Sequence, residues 1–334
     1  MKVAVLAPVA WRTPPRHYGP WEQVASNIAE GLVKLGVDVS LFATGDSVTA
    51  GKLFSVCDTG YEEDRTQDAK VLECLHISNL MEKAGDFDII HNNFDFLPLT
   101  YSGLIKTPVI TTIHGFSSPK IIPVYKKYNS QGHYVSISNS DRSDQLTYLA
   151  TVYNGLNTAH FEFNDKPDDY LLYFGRIHHD KGTAEAIEIA KRSGRQLLIA
   201  GLIQDADYFN TQIKPRLNDQ IQYLGNAEPC KRKELLGNAY ALLHPINFNE
   251  PFGMSVAEAM LCGTPVIAFN RGSMPELIKH QETGFLVGNI DEAVEAVTQI
   301  NHIKRIDCHE RAFSQFSSDK MVADYLGLYK QILG

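Results

Sequence analysis

Two glutamates, Glu250 and Glu258, bracket the start of a predicted helix in the stretch 249–260, which reads N-E-P-F-G-M-S-V-A-E-A-M. Pro251 and Gly253 punctuate a turn after the apolar run Ala241, Leu242, Leu243, and residues 255–261 read as a short helix stopped by Gly263 and Pro265. A helix entered through glycine offers free backbone N–H groups and a positive dipole end, where a diphosphate docks. Glu250 sits in the turn, facing what lies beyond the phosphates, and Glu258 projects from the helix. One carboxylate suits the hydroxyls of a hexose and the other those of a ribose. Pro251, Phe252, Gly253, Met254 and Ser255 complete a loop fit for a nucleotide sugar. Without further context, two glutamates flanking an amphipathic helix are ordinary solvated charges.

The company they keep points elsewhere. Tyr173, Phe174, Gly175 and Arg176 end a predicted strand, and Lys181-Gly182 follows where the next helix begins. Both cations are then aimed at the strand ends, where they can neutralise the charge that develops on a departing nucleoside diphosphate without a metal. His114 closes the strand 109–114 and precedes Gly115. The loop 12–22, R-T-P-P-R-H-Y-G-P-W-E, runs straight into a helix; Tyr18 and Trp21 can stack on an acceptor ring, or serve as packing aromatics. His91 ends its strand beside Asn92 and Asn93, within reach of an acceptor. Two D-x-D strings, Asp86-Phe87-Asp88 and Asp205-Ala206-Asp207, resemble manganese sites but are better read as helix N-caps, and His178-His179-Asp180 lacks the spacing of a zinc site. No metal and no cofactor are expected.

The string E-P-F-G-x-x-x-x-E-A-M followed by G-T-P-V-I-A resembles the signature of retaining glycosyltransferase family 4, whose fold is GT-B. The G-R-x-x-x-x-K-G run from Gly175 to Gly182 is similar to that family's diphosphate-binding pattern, and Thr112-Ile113-His114 to its T-x-H motif. The resemblance implies that His114 contacts the donor sugar near the reacting carbon and that Glu250 binds sugar hydroxyls. It implies transfer with retention; Glu250 is the motif carboxylate available to attack the sugar, and because its counterpart in the family binds hydroxyls instead, a front-face departure is expected, with Arg176 and Lys181 holding the leaving phosphate. The family's Gly-Gly pair near the first strand is replaced by Gly19-Pro20, which removes one N–H. Y-G-P-W-E resembles a subgroup that includes a sugar transferase of avilamycin assembly. A nucleotide-sugar epimerase of the same fold and a non-catalytic two-domain sugar-binding protein remain open alternatives. A nicotinamide oxidoreductase does not, because no G-x-G-x-x-G follows the first strand.

The elements that must position these residues follow a βαβ rhythm that occurs twice. Strands are predicted over 3–6, 37–42, 87–91, 109–114, 134–137 and 152–154, then over 170–174, 196–200, 221–224, 241–244, 265–269 and 284–287. The expectation is an α/β protein of two Rossmann-like, doubly wound parallel-sheet domains facing a cleft. Residues 1–166 form an acceptor-binding domain and 167–317 a donor-binding domain, with a helix over 318–334 returning to the first. The polar segment 165–169 marks the link. At 334 residues, 44% hydrophobic and 21% charged, the chain can bury two cores, and its net charge of −8 argues against nucleic acid. Five scattered cysteines point to a reduced, cytoplasmic protein, and no apolar run reaches the ~18 residues that cross a bilayer. Three lysines among apolar residues at 120–128 allow at most a peripheral membrane contact, with a solvated loop the plainer reading. The expected partners are a UDP- or GDP-linked hexose and a carbohydrate or small-molecule glycoside acceptor.

Overall fold

The structure, a computed structural model, describes every residue except Ser117, and every side chain but those of Ser117, Pro229 and Cys230. The chain divides into two compact units, Met1–Gly155 with Ser318–Gly334, and Leu156–Ser317. Residues 156–166 thus pack in the second unit, not the first. The reason is local: Leu156 N–H bonds the carbonyl of Phe316, Asn164 N–H that of Cys262, and Arg305 Nε donates to Asn164 O at 2.6 Å.

In the first unit the strands are β1 (Lys2–Leu6), β2 (Asp38–Phe42), β3 (Lys52–Phe54), β4 (Ile89–Asn92), β5 (Val109–Ile113), β6 (His133–Ser136) and β7 (Ala150–Thr151). They form one parallel sheet in the order β3-β2-β1-β4-β5-β6-β7. β1 registers Val3 on Val39 and Val3 on Ile89, so its apolar run is covered on both faces, as a central parallel strand requires. β3 is a three-residue edge strand with Leu53 and Phe54 half-buried, too short to show a period, and it was not predicted. The last strand lies at Ala150–Thr151 rather than at 152–154, because β6 pairs Val135 with Ala150 and Ser136 with Thr151.

Helix α1 (Pro20–Lys34) buries Val24, Ile28 and Leu32 on the sheet, and Pro20 occupies its first turn, where a missing N–H costs nothing. Helix α2 (Ala69–Met81) is capped by Asp68 and buries Leu72, His76, Ile77 and Leu80. Helix α3 (Ile122–Tyr128) takes up the lysine-bearing segment, a helix instead of a loop, with Ile122 and Tyr125 turned inward and the lysines outward. The chain's last helix, Ser318–Leu333, packs on α1 and buries Met321, Val322, Tyr325 and Tyr329. A Cβ on Gly31 would lie 2.5 Å from Val322 Cγ2, so glycine is what lets these two helices touch.

In the second unit β8 (Tyr170–Phe174), β9 (Gln196–Ala200), β10 (Ile221–Tyr223), β11 (Ala241–His244), β12 (Val266–Phe269) and β13 (Gly284–Val287) form a parallel sheet ordered β10-β9-β8-β11-β12-β13. Between them run α4 (Thr183–Ser193), α5 (Ala206–Tyr208), α6 (Pro229–Asn238), α7 (Met254–Leu261), α8 (Met274–Leu277), α9 (Ile290–Gln299) and α10 (Arg305–Phe316), which makes the Ser318–Leu333 helix α11. In each sheet the order reverses direction next to its first strand, the switch point at which open parallel sheets gather ligand-binding loops. Among the described residues no helix is long and apolar enough to cross a membrane.

Candidate active site

In the second unit the loops after β8 and β11 are drawn together. Asn247 N–H bonds the carbonyl of Asp180 at 2.7 Å, and Gly182, at φ +74°, lies so close to Pro245 that a Cβ there would sit 1.8 Å from its carbonyl oxygen. Only glycine allows that approach. It brings Lys181, at the end of a short 3-10 turn, to Glu250: Nζ donates to Oε2 at 2.5 Å, with both side chains largely buried. The ammonium also lies 4.5 Å from the centre of the Phe248 ring. His244, the last residue of β11, places Nε2 3.8 Å from the same carboxylate oxygen. Burial and the Lys181 charge push this imidazole down to about 3, so it is neutral. Sequence reasoning did not single out His244; its position at a strand end two residues before the loop was the available signal.

The Glu250 loop is held from below. Glu250 and Phe252 carbonyls accept bonds from Ser273, through its N–H at 3.0 Å and its hydroxyl at 2.6 Å. Phe252 is buried, Pro251 half-buried, and Gly253 enters α7 in the left-handed region at φ +95°. No side chain caps α7, and Met254 and Ser255 in its first turn are half-buried. Glu258, one turn further on, is 2% exposed and held by Arg232 of α6 in a fork, Nε donating to Oε2 at 3.1 Å and the other arm to Oε1. Burial lowers the Arg232 guanidinium to about 10, and it also packs over Phe174. Its partnership with Glu258 was not expected, since nothing in their separation marks it. Arg176 is half-buried and bonds Gln204. Lys181, Glu250, Arg176 and the α7 N-terminus thus belong to neighbouring loops of one sheet.

The D-x-D strings have structural duties. Asp205 caps α5, accepting from Tyr208 N–H at 2.9 Å. Asp88 does not cap a helix; it accepts from Lys2 N–H at 2.7 Å and ties down the start of β1. His178, His179 and Asp205 each bring one ligand atom within 4.8 Å of the others, a grouping that Asp205 completes from a different loop.

In the first unit His114 is 8% exposed and stacked on Trp21, with ring centres 5.5 Å apart. Nε2 meets Asn93 Oδ1 at 3.0 Å. An amide oxygen only accepts, so with the amide oriented this way Nε2 carries the proton and Nδ1 keeps a lone pair. That Nδ1 and the Asn93 Nδ2 are both buried without a partner. Burial pushes His114 down to about 3. Its free lone pair suits a hydroxyl donor. Tyr18 is 39% exposed and meets Trp11 edge-on; Gly19 precedes α1.

His91 is a correction. It is fully buried, bonded through Nδ1 to Tyr329 at 2.6 Å and through Nε2 to Thr112 at 2.8 Å, and Thr112 in turn bonds Tyr325 at 2.6 Å. Both ring nitrogens are consumed by a core network that joins α11 to the sheet, so His91 offers nothing to an acceptor. Beside the α1 entry lies a cavity of about 470 Å³ between Trp11, Tyr18, Trp21, Glu22, Glu73 and Asp95. Of these only Tyr18 and Trp21 were expected to meet a ligand.

Two parallel α/β units of seven and six strands, each with its loops gathered at the strand ends, belong to the GT-B fold. Over 99% of the chain it is similar to AviGT4, a glycosyltransferase involved in avilamycin A biosynthesis, at a TM-score of 0.74 and 22% identity, covering 98% of that protein. Anabaena Alr3699/HepE in complex with UDP and glucose aligns with a TM-score of 0.75 and 18% identity over 99% of both chains. These likenesses speak for the fold. In sequence, residues 157–315 match the family described as Glycosyl transferases group 1. The uncharacterized glycosyltransferase MJ1607 of Methanocaldococcus jannaschii is 23% identical over 86% of this chain and 85% of its own length. The chain is a glycosyltransferase, and the residues that match glycosyl transferases group 1 lie in the second unit.

Proposed function

We propose that the chain transfers a hexose-type sugar from a nucleoside diphosphate to an acceptor hydroxyl with retention of configuration, by a metal-independent front-face route. The observation that carries this reading is the Lys181–Glu250 pair beside the uncapped start of α7, with Arg176 on the same loop. A diphosphate competes with Glu250 for Lys181. Once Lys181 and Arg176 hold the phosphates, the Glu250 carboxylate is released to accept hydrogen bonds from sugar hydroxyls. The bond between the anomeric carbon and the phosphate oxygen breaks, the acceptor oxygen bonds to the same face of that carbon, and the acceptor proton passes to the leaving phosphate. A carboxylate occupied by the hydrogen bonds of sugar hydroxyls is a poor nucleophile, which favours this route over a glycosyl-enzyme.

Uridine is the favoured base, because HepE is described in complex with UDP and glucose. Glu258 takes the ribose hydroxyls only by sharing its carboxylate with Arg232, so that Arg232 is part of the nucleoside site. His114 accepts a sugar hydroxyl on Nδ1. Thermal stabilisation by UDP, GDP, ADP and TDP in the presence of EDTA tests the donor site: a ligand at a hundred times its dissociation constant adds about 2.7 kcal/mol. A shift for one diphosphate, absent in Lys181→Ala, is expected. Interconversion of free nucleotide sugars without acceptor would instead identify an epimerase. Dependence of turnover on added zinc or manganese, lost on replacing His179, would overturn metal independence.

A further inference from the structure

The first unit's cavity has a lining whose chemistry is one-sided. Glu22 comes from α1, Glu73 from α2 and Asp95 from the turn after β4, and among the described residues no Lys, Arg, His, Asn or Gln lines it with them. Among the described residues none of the three carboxylates is in an ion pair. Their bonds come from neutral donors: Trp11 N–H to Glu22 at 3.3 Å, the Tyr61 hydroxyl to Glu73 at 3.1 Å and the Tyr125 hydroxyl to Asp95 at 2.6 Å. Asp95 is held at φ +128°, one of two non-glycine residues at positive φ among those described, and a strained backbone at a cavity wall is a mark of function. All three carboxyls titrate above their ordinary range, Glu22 at about 7 and Asp95 at about 6, chiefly because burial penalises their charge. The rest of the wall is apolar and largely aromatic, with the indoles of Trp11 and Trp21 and the ring of Tyr61 among Pro8, Ala10, Pro20 and Leu97.

A neutral sugar both donates and accepts through every hydroxyl and is matched by mixed amide, guanidinium and carboxylate partners. This wall supplies carboxylate acceptors and π faces in excess of its donors, which are the hydroxyls of Tyr18 and Tyr61, the latter spent on Glu73, and two indole N–H groups. An ammonium supplies donors only, three of them, with a positive charge that carboxylates and aromatic faces both attract. We propose that this cavity binds a protonated amine carried on a ring, so that the acceptor is an amino sugar or aminocyclitol whose free amine lies among Glu22, Glu73 and Asp95 while its body stacks on Trp11 and Trp21. The assignment of this ligand as acceptor rests on the glycosyltransferase reading; the binding itself does not.

Trp11 and Trp21 are the chain's two tryptophans and both line this cavity, Trp21 also stacking on His114, so tryptophan fluorescence reports on the cavity and its immediate surroundings. The full chain is titrated with glucosamine, N-acetylglucosamine and a diaminocyclitol, and thermal stabilisation by UDP is read on the same preparation. The amines are expected to change the fluorescence saturably, with N-acetylation weakening binding by about tenfold or more, the worth of a charge-assisted contact. Glu73→Gln and Asp95→Asn each weaken amine binding by about threefold to tenfold and leave the UDP shift unchanged. Equal binding of the acetylated sugar, amine binding indifferent to both variants, or no fluorescence response while UDP still stabilises would each overturn the proposal and leave the donor site standing. Amine binding without any nucleotide shift would uphold the cavity and remove the donor reading instead.

Discussion

The second unit's site is built from formal charges that pair with one another, and the first unit's from titratable groups kept neutral or unpaired by burial. Lys181 with Glu250 and Arg232 with Glu258 satisfy each other at the mouth of one sheet. In the first unit, His114 has a lone pair without a donor, and Glu22, Glu73 and Asp95 have no cation. The contrast teaches that one kind of site exchanges partners when a charged ligand arrives, while the other is left with bonding capacity already waiting. On the proposed reading, the Lys181–Glu250 pair opens and gives its ammonium to a phosphate. A buried imidazole or carboxyl trades charge for readiness.

The sharpest way to break the contrast is Lys181→Ala. Removing a preorganised charge from the leaving group should lower kcat by about 10²- to 10³-fold while the tryptophan fluorescence stays as it is. Retained turnover, measured with a nucleotide sugar and any working acceptor, would mean that the charge pair is only structural. His114→Ala is the matching probe of the first unit, expected to lower kcat by about tenfold to a hundredfold with the UDP shift intact. Because His114 is already neutral, the pH profile of the parent protein should carry no inflexion between 6 and 7 that His114→Gln removes.

Arg232→Met sharpens the comparison in the second unit by leaving the Glu258 carboxylate buried and alone. Urea denaturation should report a loss of about 2 kcal/mol, below that for a fully enclosed pair because about a third of Arg232 meets water. Restoration by adding Glu258→Gln would assign the loss to the orphaned charge. The remaining effects concern acid, the smallest of them being that of a single carboxyl. His76, His91, His114 and His244 all have their folded pKa pushed below the unfolded value of 6.5, so between pH 6.5 and about 4 the unfolded chain binds protons that the folded one refuses. Stability therefore falls with pH in that window, by about 1.4 kcal/mol per histidine at pH 5.5. Glu22 acts in the opposite sense: its folded pKa of about 7 exceeds the usual 4.5, so folding gains as pH drops through 7. Glu22→Gln should make the acid loss steeper by about 1–2 kcal/mol at pH 5.5, read from denaturation midpoints at pH 7.5 and 5.5.

The second unit was legible because its chemistry is compact in the chain. Arg176 to Lys181 and Glu250 to Glu258 are single runs at the ends of strands whose apolar character is plain, so period, glycine and charge all speak within a few residues. Helix α11 was equally plain from its spacing of Met321 and Tyr325. What stayed hidden has long separations or weak periods. The edge strand β3 is three residues long, and its pairing with β2 depends on a neighbour rather than on its own pattern. His91 looked available at a strand end, and only the arrival of Tyr329 from the chain's last helix made it a core residue.

Local physics thus settled the parallel α/β class, the positions of its principal strands along the chain and a glycine-entered helix flanked by cations and carboxylates. Hydrophobic periodicity and backbone freedom act over neighbouring residues, and a single chain records them directly. The partners of buried polar groups were decided by tertiary structure alone: Arg232 for Glu258, Asn93 for His114, and the gathering of Glu22, Glu73 and Asp95 about one cavity. A hydrogen bond or a Coulomb contact has meaning only at a few ångströms, and no rule of spacing brings residues so far apart in the chain to that distance until the sheets have formed.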